Sequence, residues 1–197
     1  MTKNFSKFRI WHQKDASLAK ILNLIKFMVL SVLMFLPISA YTQFSGGDGT
    51  EGNPYIITTP AQLAQLATYV NEANIEYNAK HYKLGNNLDL SDYQTGAGWI
   101  PIGNDPNSFR GVFNGDNHII TGLYINNTSR AHVGLFGRLI GTNTATTKAN
   151  VFNLGIKDAE IISNFNGIAY AGGIVGQHAG DGGLDKCFFT GSISVAA

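Results

Sequence analysis

The chain has 197 residues, of which 23 are glycine, 11% are aromatic and only 14% are charged. This balance is unusual for a helical globule and favours a turn-rich β structure of one modest domain. Residues 41–197 hold eight basic and twelve acidic residues, a net charge of −4, which argues against nucleic acid or an anionic membrane surface as the partner of the folded part.

The first 40 residues have the layout of a secretion signal. Lysines precede an apolar run at 27–36, and small residues follow it up to Ala40. We predict a signal peptide over residues 1–40, cleaved at 40–43, and therefore a secreted or cell-surface protein with no membrane contact after cleavage. The alternative is an uncleaved anchor, but charged and polar residues and a proline interrupt residues 21–38.

Residues 41–58 are predicted to be a flexible polar segment that ends in a β-branched entry strand. A helix is predicted over residues 59–79, with Thr59 as N-cap, Pro60 at the first helical position and Gln62 completing a capping box. Apolar residues then recur at helical spacing, forming one stripe: Leu63, Leu66, Ala67 and Val70. Because such a stripe must be buried, we expect this helix to cap the first coil of the β structure that follows.

Residues 80–197 show short runs of alternating apolar residues separated by Gly- and Asn-rich turns, the pattern of short β-strands. They also contain two tetrads of the form Gly-aliphatic-Xaa-Gly, at 134–137 and 173–176, each followed by a strand-like block. The corresponding positions of the two tetrads are Gly134, Leu135 and Gly137 in the first and Gly173, Ile174 and Gly176 in the second. Short strands can build a sandwich or a parallel solenoid, and the repeat favours the solenoid.

Within such a solenoid, inward positions should stack in rows. The predicted inward residues are Leu123, Ile125, Leu154, Ile156, Cys187 and Phe189. Cys187, the only cysteine, is interpreted as a small buried apolar residue rather than a nucleophile or metal ligand. The loops at 96–109 and 142–150 should form the variable surface, where we expect any interaction site. The chain stops in or near a strand, which predicts a truncated solenoid that continues in a longer protein.

Much of the chain after residue 48 resembles the secreted GLUG-motif proteins, which are common in gut and oral Bacteroidetes and also occur beside some immunoglobulin A-cleaving metalloproteases. The resemblance depends on residues 49–57, 62–63, 82–84, 88–91, 99–103, 109–115, 118–123, 133–137, 171–176 and 186–193. It implies an all-β, right-handed parallel β-helix on an extracellular or surface protein, with no catalytic residues to transfer. The chain departs from the family pattern at 114–117 and in the insertion at 142–150. It also has no His-Glu-Xaa-Xaa-His zinc helix, so metalloprotease activity is not implied.

No catalytic residue, cofactor or metal site is predicted, because the aspartates stand at turns and the histidines lack ligand spacing. Three candidate ligand contacts lie on the 96–109 loop: Trp99, Asp105 and Phe109. The indole of Trp99 either stacks on a sugar or, as is more common, packs against neighbouring strands.

Two functional classes remain open. The first is a noncatalytic surface module that binds extracellular glycans or proteins of host or neighbouring cells, or that acts as a spacer. The alternative is a carbohydrate-active enzyme, such as a polysaccharide lyase or glycoside hydrolase. Two carboxylates, or a carboxylate with Lys or Arg, in one groove beside aromatic residues would favour the enzyme. The sequence alone favours the noncatalytic module.

Overall fold

The computed structural model describes residues 43–141 and 151–196. The predicted signal peptide at 1–40, most of its cleavage region and the insertion at 142–150 lie outside these residues. The described helices are α1 (Pro60–Asn71) and α2 (Ile75–Asn78), with a 3-10 turn at Ser91–Tyr93. The described strands are β1 (Tyr55–Ile57), β2 (His81–Leu84), β3 (Leu88–Asp89), β4 (Val112–Asn114), β5 (Ile119–Thr121), β6 (Tyr124–Asn127), β7 (His132–Val133), β8 (Phe136–Gly141), β9 (Val151–Phe152), β10 (Gly155–Ser163), β11 (Tyr170–Ala171), β12 (Val175–Gly180), β13 (Leu184–Asp185) and β14 (Phe188–Val195).

The strands form several small parallel sheets. One sheet has the order β1-β2-β4-β9-β13, a second has the order β14-β10-β5-β3 with β6 also paired to β10, and two further sheets pair β11 with β7 and β12 with β8. The predicted right-handed parallel β-helix is therefore wrong. The strands are divided among four separate sheets of unequal size, and an antiparallel bridge joins Gly98 to Ile125. Short apolar strands with glycine turns are compatible with a regular β-helix and with several separate sheets, so the sequence pattern does not distinguish the two.

Helix α1 begins at the predicted residue. The Thr59 hydroxyl accepts a 3.2 Å hydrogen bond from the Gln62 amide, and the Gln62 side chain accepts from the Thr59 amide at 3.3 Å. The apolar stripe is buried: Leu63, Leu66, Ala67 and Val70. The helix ends earlier than predicted, at Asn71, and α2 follows as a separate turn capped by the Asn74 side chain. Because the solenoid prediction is wrong, the predicted role of α1 as the cap of a solenoid is wrong as well. The apolar stripe of α1 is instead part of the hydrophobic core.

Phe44, at the start of the polar segment before β1, is part of the core. The Phe44 side chain is 2% exposed, and its ring lies 4.8 Å from that of Tyr55 and 5.5 Å from that of Tyr82. The Ser45 amide donates to the Ile56 carbonyl at 2.7 Å. Burial raises the pKa of Tyr82, whose hydroxyl donates to the Tyr77 carbonyl, so this phenol stays neutral within the core.

The two glycine tetrads lie side by side. Strands β12 and β8 pair in parallel with Val175 opposite Phe136 and Gln177 opposite Arg138, which aligns Gly176 with Gly137. The strands on either side pair in the same sense, β7 with β11, β9 with β13 and β10 with β14. The segment from β7 to β10 therefore has its counterpart, strand by strand, in the segment from β11 to β14.

Most of the predicted inward row is buried. Four residues are at most 1% exposed: Leu123, Ile125, Leu154 and Ile156. Cys187 and Phe189 are only partly buried and pack against this core. They differ from the other four because Phe189 lies in the outermost strand β14 and Cys187 lies between β13 and β14, where the described residues add no further layer.

Candidate functional site

Two of the three predicted ligand contacts are core residues. The Trp99 side chain is 1% exposed, and its indole nitrogen donates to the Leu135 carbonyl at 3.2 Å. Phe109 is fully buried, with its ring 5.2 Å from that of Phe136. Neither side chain can stack on a ligand. The ligand-contact prediction is wrong for Phe109, and for Trp99 the alternative, packing in the core, is confirmed. Trp99, Ile102 and Phe109 of the 96–109 loop face the core, whereas Ile100 is 51% exposed.

Asp105, the third predicted contact, lies on the surface with a side chain that is 68% exposed. It lines an open depression of about 390 Å³, which we call the Asp105 depression. The lining residues come from the end of α1, the loop after Trp99 and the turn that leads into β7: Asn71, Pro101, Gly103, Asn104, Asp105, Ser129, Arg130, Ala131 and His132.

Asn71 fixes the loop that carries Asp105. Its side-chain amide donates to the Pro101 carbonyl at 3.0 Å, and its Oδ1 accepts from the Gly103 amide at 3.0 Å and from Asn104 Nδ2 at 3.1 Å. The Asn71 carbonyl accepts from Asn107 Nδ2 at 2.7 Å. Asn71 lies outside the apolar stripe of α1, and no local signal in the sequence reveals that it holds a loop 30 residues later.

Charged groups of both signs meet at the depression. The Asp105 carboxylate lies 3.6 Å from a guanidinium nitrogen of Arg138, which is itself held by Gln177 at 2.9 Å and Ser108 at 2.8 Å. A second cation, Arg130, lines the same depression, and its backbone amide donates to the Asn127 side chain at 2.9 Å. The Asp105 carboxylate thus has an arginine partner outside the lining, and Arg130 is the basic residue of the lining itself.

A planar pair of rings borders the depression. The His132 ring stacks on the Tyr170 ring at 5.1 Å with only 7° between the planes, and the Tyr170 residue is 38% exposed. The lining thus combines side-chain amides, one carboxylate and one guanidinium with an adjacent aromatic pair. Such groups donate and accept hydrogen bonds in fixed directions and suit a polar ligand with a flat apolar face.

Across residues 43–141 and 151–196, no three His, Cys, Asp or Glu side chains are grouped as metal ligands. Asp105 is the one carboxylate among the lining residues of its depression. The described helices also include none with the length and hydrophobicity needed to cross a membrane.

Cys187 lies apart from the depression. Its sulfur is 3.3 Å from the Asp185 carbonyl and 3.6 Å from the Val151 carbonyl, and burial raises the pKa of the thiol. A raised pKa leaves less thiolate at neutral pH, and the thiolate is the reactive form.

We therefore expect Cys187 to react slowly with iodoacetamide at pH 7 in the native protein. Unfolding in guanidinium should restore the ordinary thiol pKa and expose the sulfur, so the rate should increase, because the fraction of reactive thiolate rises as the pKa falls. Mass spectrometry of timed samples measures both rates. Equal rates in the native and unfolded protein would contradict the buried assignment.

No protein-family model matches the chain, so membership of the GLUG-motif family is not shown. A "Putative Gly-rich membrane protein" of Evansella cellulosilytica is 42% identical over 102 residues, which are 51% of this chain and 11% of that protein. "Halomucin" of Haloquadratum walsbyi is 34% identical over 121 residues, which are 57% of this chain and 1% of that protein. The chain therefore spans only a small part of the length of these relatives.

A solved structure shares the fold. The crystal structure of a "putative immunoglobulin A1 protease" from Bacteroides ovatus superposes with a TM-score of 0.54 at 20% identity, covering 77% of this chain and 41% of that one. At this identity the likeness shows the fold alone. Its source agrees with the predicted link to Bacteroidetes proteins, while the finer assignment to GLUG-motif proteins stays a prediction.

Proposed function

We propose that the chain is a noncatalytic module of a cell-envelope protein and that it binds carbohydrate at the Asp105 depression. The observation that carries this proposal is the set of side chains that meet there. Asn104, Asp105 and Arg130 line a surface depression beside the stacked rings of His132 and Tyr170. Sugar hydroxyls both donate and accept hydrogen bonds, so amide, carboxylate and guanidinium groups in one wall can bind several at once.

The rigidity of the loop supports binding. The Asn71 side chain bonds to Pro101, Gly103 and Asn104 at 3.0 to 3.1 Å, so the loop is held in place before a ligand arrives. A pre-ordered site loses less conformational entropy on binding than a mobile one. The exposed Tyr170 ring offers a flat surface for the apolar face of a sugar, as aromatic side chains with a polar tip commonly do.

A cell-envelope location is supported by two observations. The first 40 residues have the layout of a secretion signal, and the relative from Evansella cellulosilytica is named as a membrane protein. The net charge of −4 over residues 41–197 favours an uncharged glycan over nucleic acid as the ligand.

A carbohydrate-active enzyme is the second candidate function. It is favoured by the carboxylate of Asp105 and the guanidinium of Arg130 in one depression beside an aromatic pair. Glycoside hydrolases generally use two carboxylates, whereas this lining contains one. That carboxylate is also partnered by Arg138. The noncatalytic module is therefore the better-supported function.

The test compares binding with turnover. We expect the exported protein to bind at least one member of a panel of bacterial and host polysaccharides, measured by glycan array and calorimetry, with no release of reducing ends or unsaturated uronates. Asp105→Asn should weaken binding about tenfold, since a hydrogen bond to a charged group contributes about 1.5–3 kcal/mol. Asp92→Asn, at an exposed aspartate outside the depression, is the matched control.

Three outcomes separate the candidates. Binding that is weakened in Asp105→Asn but not in Asp92→Asn, without turnover, supports the binding module. Turnover that is abolished in Asp105→Asn supports the enzyme. Failure of the unaltered protein to bind any polysaccharide, or equal binding by both variants, contradicts carbohydrate recognition at the Asp105 depression.

A further inference from the structure

Both ends of the segment that carries Asp105 are bonded to one residue of strand β8. The Arg138 amide donates to the Gly103 carbonyl at 3.2 Å, and the Arg138 carbonyl accepts from the Phe109 amide at 3.0 Å. We call the segment between these two bonds, residues 103–109, the Asp105 loop. Because Arg138 lies in the pairing of β8 with β12, its backbone joins the loop to a paired strand.

Three side chains surround the guanidinium of Arg138. Its Nε donates to Gln177 Oε1 at 2.9 Å, and its Nη1 donates to Ser108 Oγ at 2.8 Å and lies 3.6 Å from Asp105 Oδ1. Gln177 lies opposite Arg138 in the pairing of β12 with β8, and Ser108 is 1% exposed. The donors of a guanidinium lie in one plane, so hydrogen bonds at two of its nitrogens fix the orientation of that plane.

The two oxygens of the Asp105 carboxylate have different surroundings. Oδ1 faces the Arg138 guanidinium, whereas Oδ2 accepts no hydrogen bond from the residues that the structure describes. The side chain is 68% exposed, so packing alone does not hold it in one rotamer. A carboxylate with one oxygen beside a fixed cation can present the other oxygen to a donor in a defined direction.

We propose that Arg138 is a positioning residue of the Asp105 depression: its guanidinium, fixed by Gln177 and Ser108, holds the Asp105 carboxylate so that Oδ2 accepts a hydrogen bond from a ligand hydroxyl. This inference rests on the proposed binding of carbohydrate at the depression. Arg138 and Gln177 are not among the lining residues, so they act through Asp105 and not by contact with the ligand. Holding the carboxylate beforehand reduces the conformational entropy that is lost on binding.

The first experiment measures the Asp105 side chain without ligand. Three-bond NMR couplings from Asp105 Cγ to its backbone nitrogen and carbonyl carbon, recorded on the full isotope-labelled chain, report its χ1 rotamers. We expect one dominant rotamer in the unaltered protein and rotamer averaging in Arg138→Gln and Gln177→Ala. Arg138→Lys should give an intermediate result, because an ammonium keeps the charge but lacks the planar set of donors. Arg110→Gln is the matched control, since Arg110 is exposed and outside the lining.

The second experiment is a double-mutant cycle on affinity, measured by calorimetry with the polysaccharide of the panel that the unaltered protein binds most tightly. Arg138→Gln should weaken binding about fivefold, the order expected when one further side chain must be immobilised on binding. In an Asp105→Ala background the same change should have no further effect, because the carboxylate through which Arg138 acts is gone. A residue needed only for folding would weaken binding equally in both backgrounds.

A single Asp105 rotamer in folded Arg138→Gln, or rotamer averaging in the unaltered protein, would overturn the positioning role. Equal losses of affinity in the two backgrounds would overturn it as well. If circular dichroism shows that Arg138→Gln misfolds, Gln177→Ala leaves the arginine in place and provides both measurements. Failure of the unaltered protein to bind any polysaccharide contradicts the proposed function, and the rotamer measurement then shows separately whether Arg138 holds the Asp105 carboxylate.

Discussion

Replacing Gly137 with valine is expected to destabilise the protein by about 3 kcal/mol, because the added side chain would overlap the backbone of neighbouring segments. A Cβ atom at this position would lie 2.4 Å from the Gly103 carbonyl oxygen and 3.1 Å from the His132 carbonyl oxygen. Both atoms belong to neighbouring segments that cannot move without breaking their own hydrogen bonds, among them the 2.9 Å bond from the Gly137 amide to the Ile102 carbonyl. Glycine is required at position 137 because the backbone of neighbouring segments comes too close for a Cβ atom, and not because its backbone adopts a positive φ angle.

Chemical denaturation followed by circular dichroism measures this loss. Gly52→Val is the matched control, because a Cβ at Gly52 meets nothing within 4 Å, and it should leave stability nearly unchanged. Gly176→Val should also be destabilising, since its Cβ would lie 2.7 Å from the Val133 carbonyl oxygen. If Gly137→Val unfolded at the same denaturant concentration as the control, the close packing of the two tetrads would be wrong.

Gly137→Val should also impair the proposed site in any fraction that folds. Gly103 and His132, which a Cβ at Gly137 would contact through their carbonyl groups, line the Asp105 depression, and so does Pro101, whose Cβ would be 3.0 Å away. Gly137 of the first tetrad thus packs against three residues that line the depression.

Replacing Leu66 with aspartate is expected to cost on the order of 3 kcal/mol or more. Leu66 is fully buried in the middle of α1, so the variant loses the burial of an isobutyl group and places a carboxylate in the core. Thermal unfolding should shift to a much lower temperature, or the variant should fail to fold. Acidification below the carboxylate pKa should restore part of the stability, because the neutral acid is less costly to bury.

Thr68→Asp is the matched control for this prediction. Thr68 lies on the exposed face of the same helix, two residues further along, so a carboxylate there remains in water. We expect its melting temperature to stay close to that of the unaltered protein. A Leu66→Asp variant that melted with the control would show that the stripe of α1 is not part of the core.

Local signals in the sequence were sufficient for the start of α1 and for many strand positions. Thr59 and Gln62 lie three residues apart and bond to each other, so the cap needs no distant partner. The alternation of Tyr82, Lys83 and Leu84 corresponds to β2, in which Tyr82 and Leu84 are buried, since successive side chains of a strand point to opposite faces. The end of α1 was harder to predict because the sequence continues with residues that a helix tolerates.

The partners of strands and the walls of the depression depend on residues far apart in the chain. The tetrads could be matched by their repeat, yet the same repeat led to a regular solenoid that the four separate sheets exclude. The sequence left Trp99 open between ligand contact and packing and predicted Phe109 as a ligand contact. Both are core residues because Leu135 and Phe136, over 25 residues later, contact them.

The sequence by itself determined where helix α1 begins, where short strands alternate and which two segments repeat, because capping, periodicity and repetition act between residues close in the chain or alike in pattern. Only the tertiary structure decided which strands share a sheet, which loop residues face the core and which side chains meet at the Asp105 depression. These outcomes depend on contacts such as that between Asn71 and Gly103, 32 residues apart, whose free energy is gained only after the intervening chain has folded.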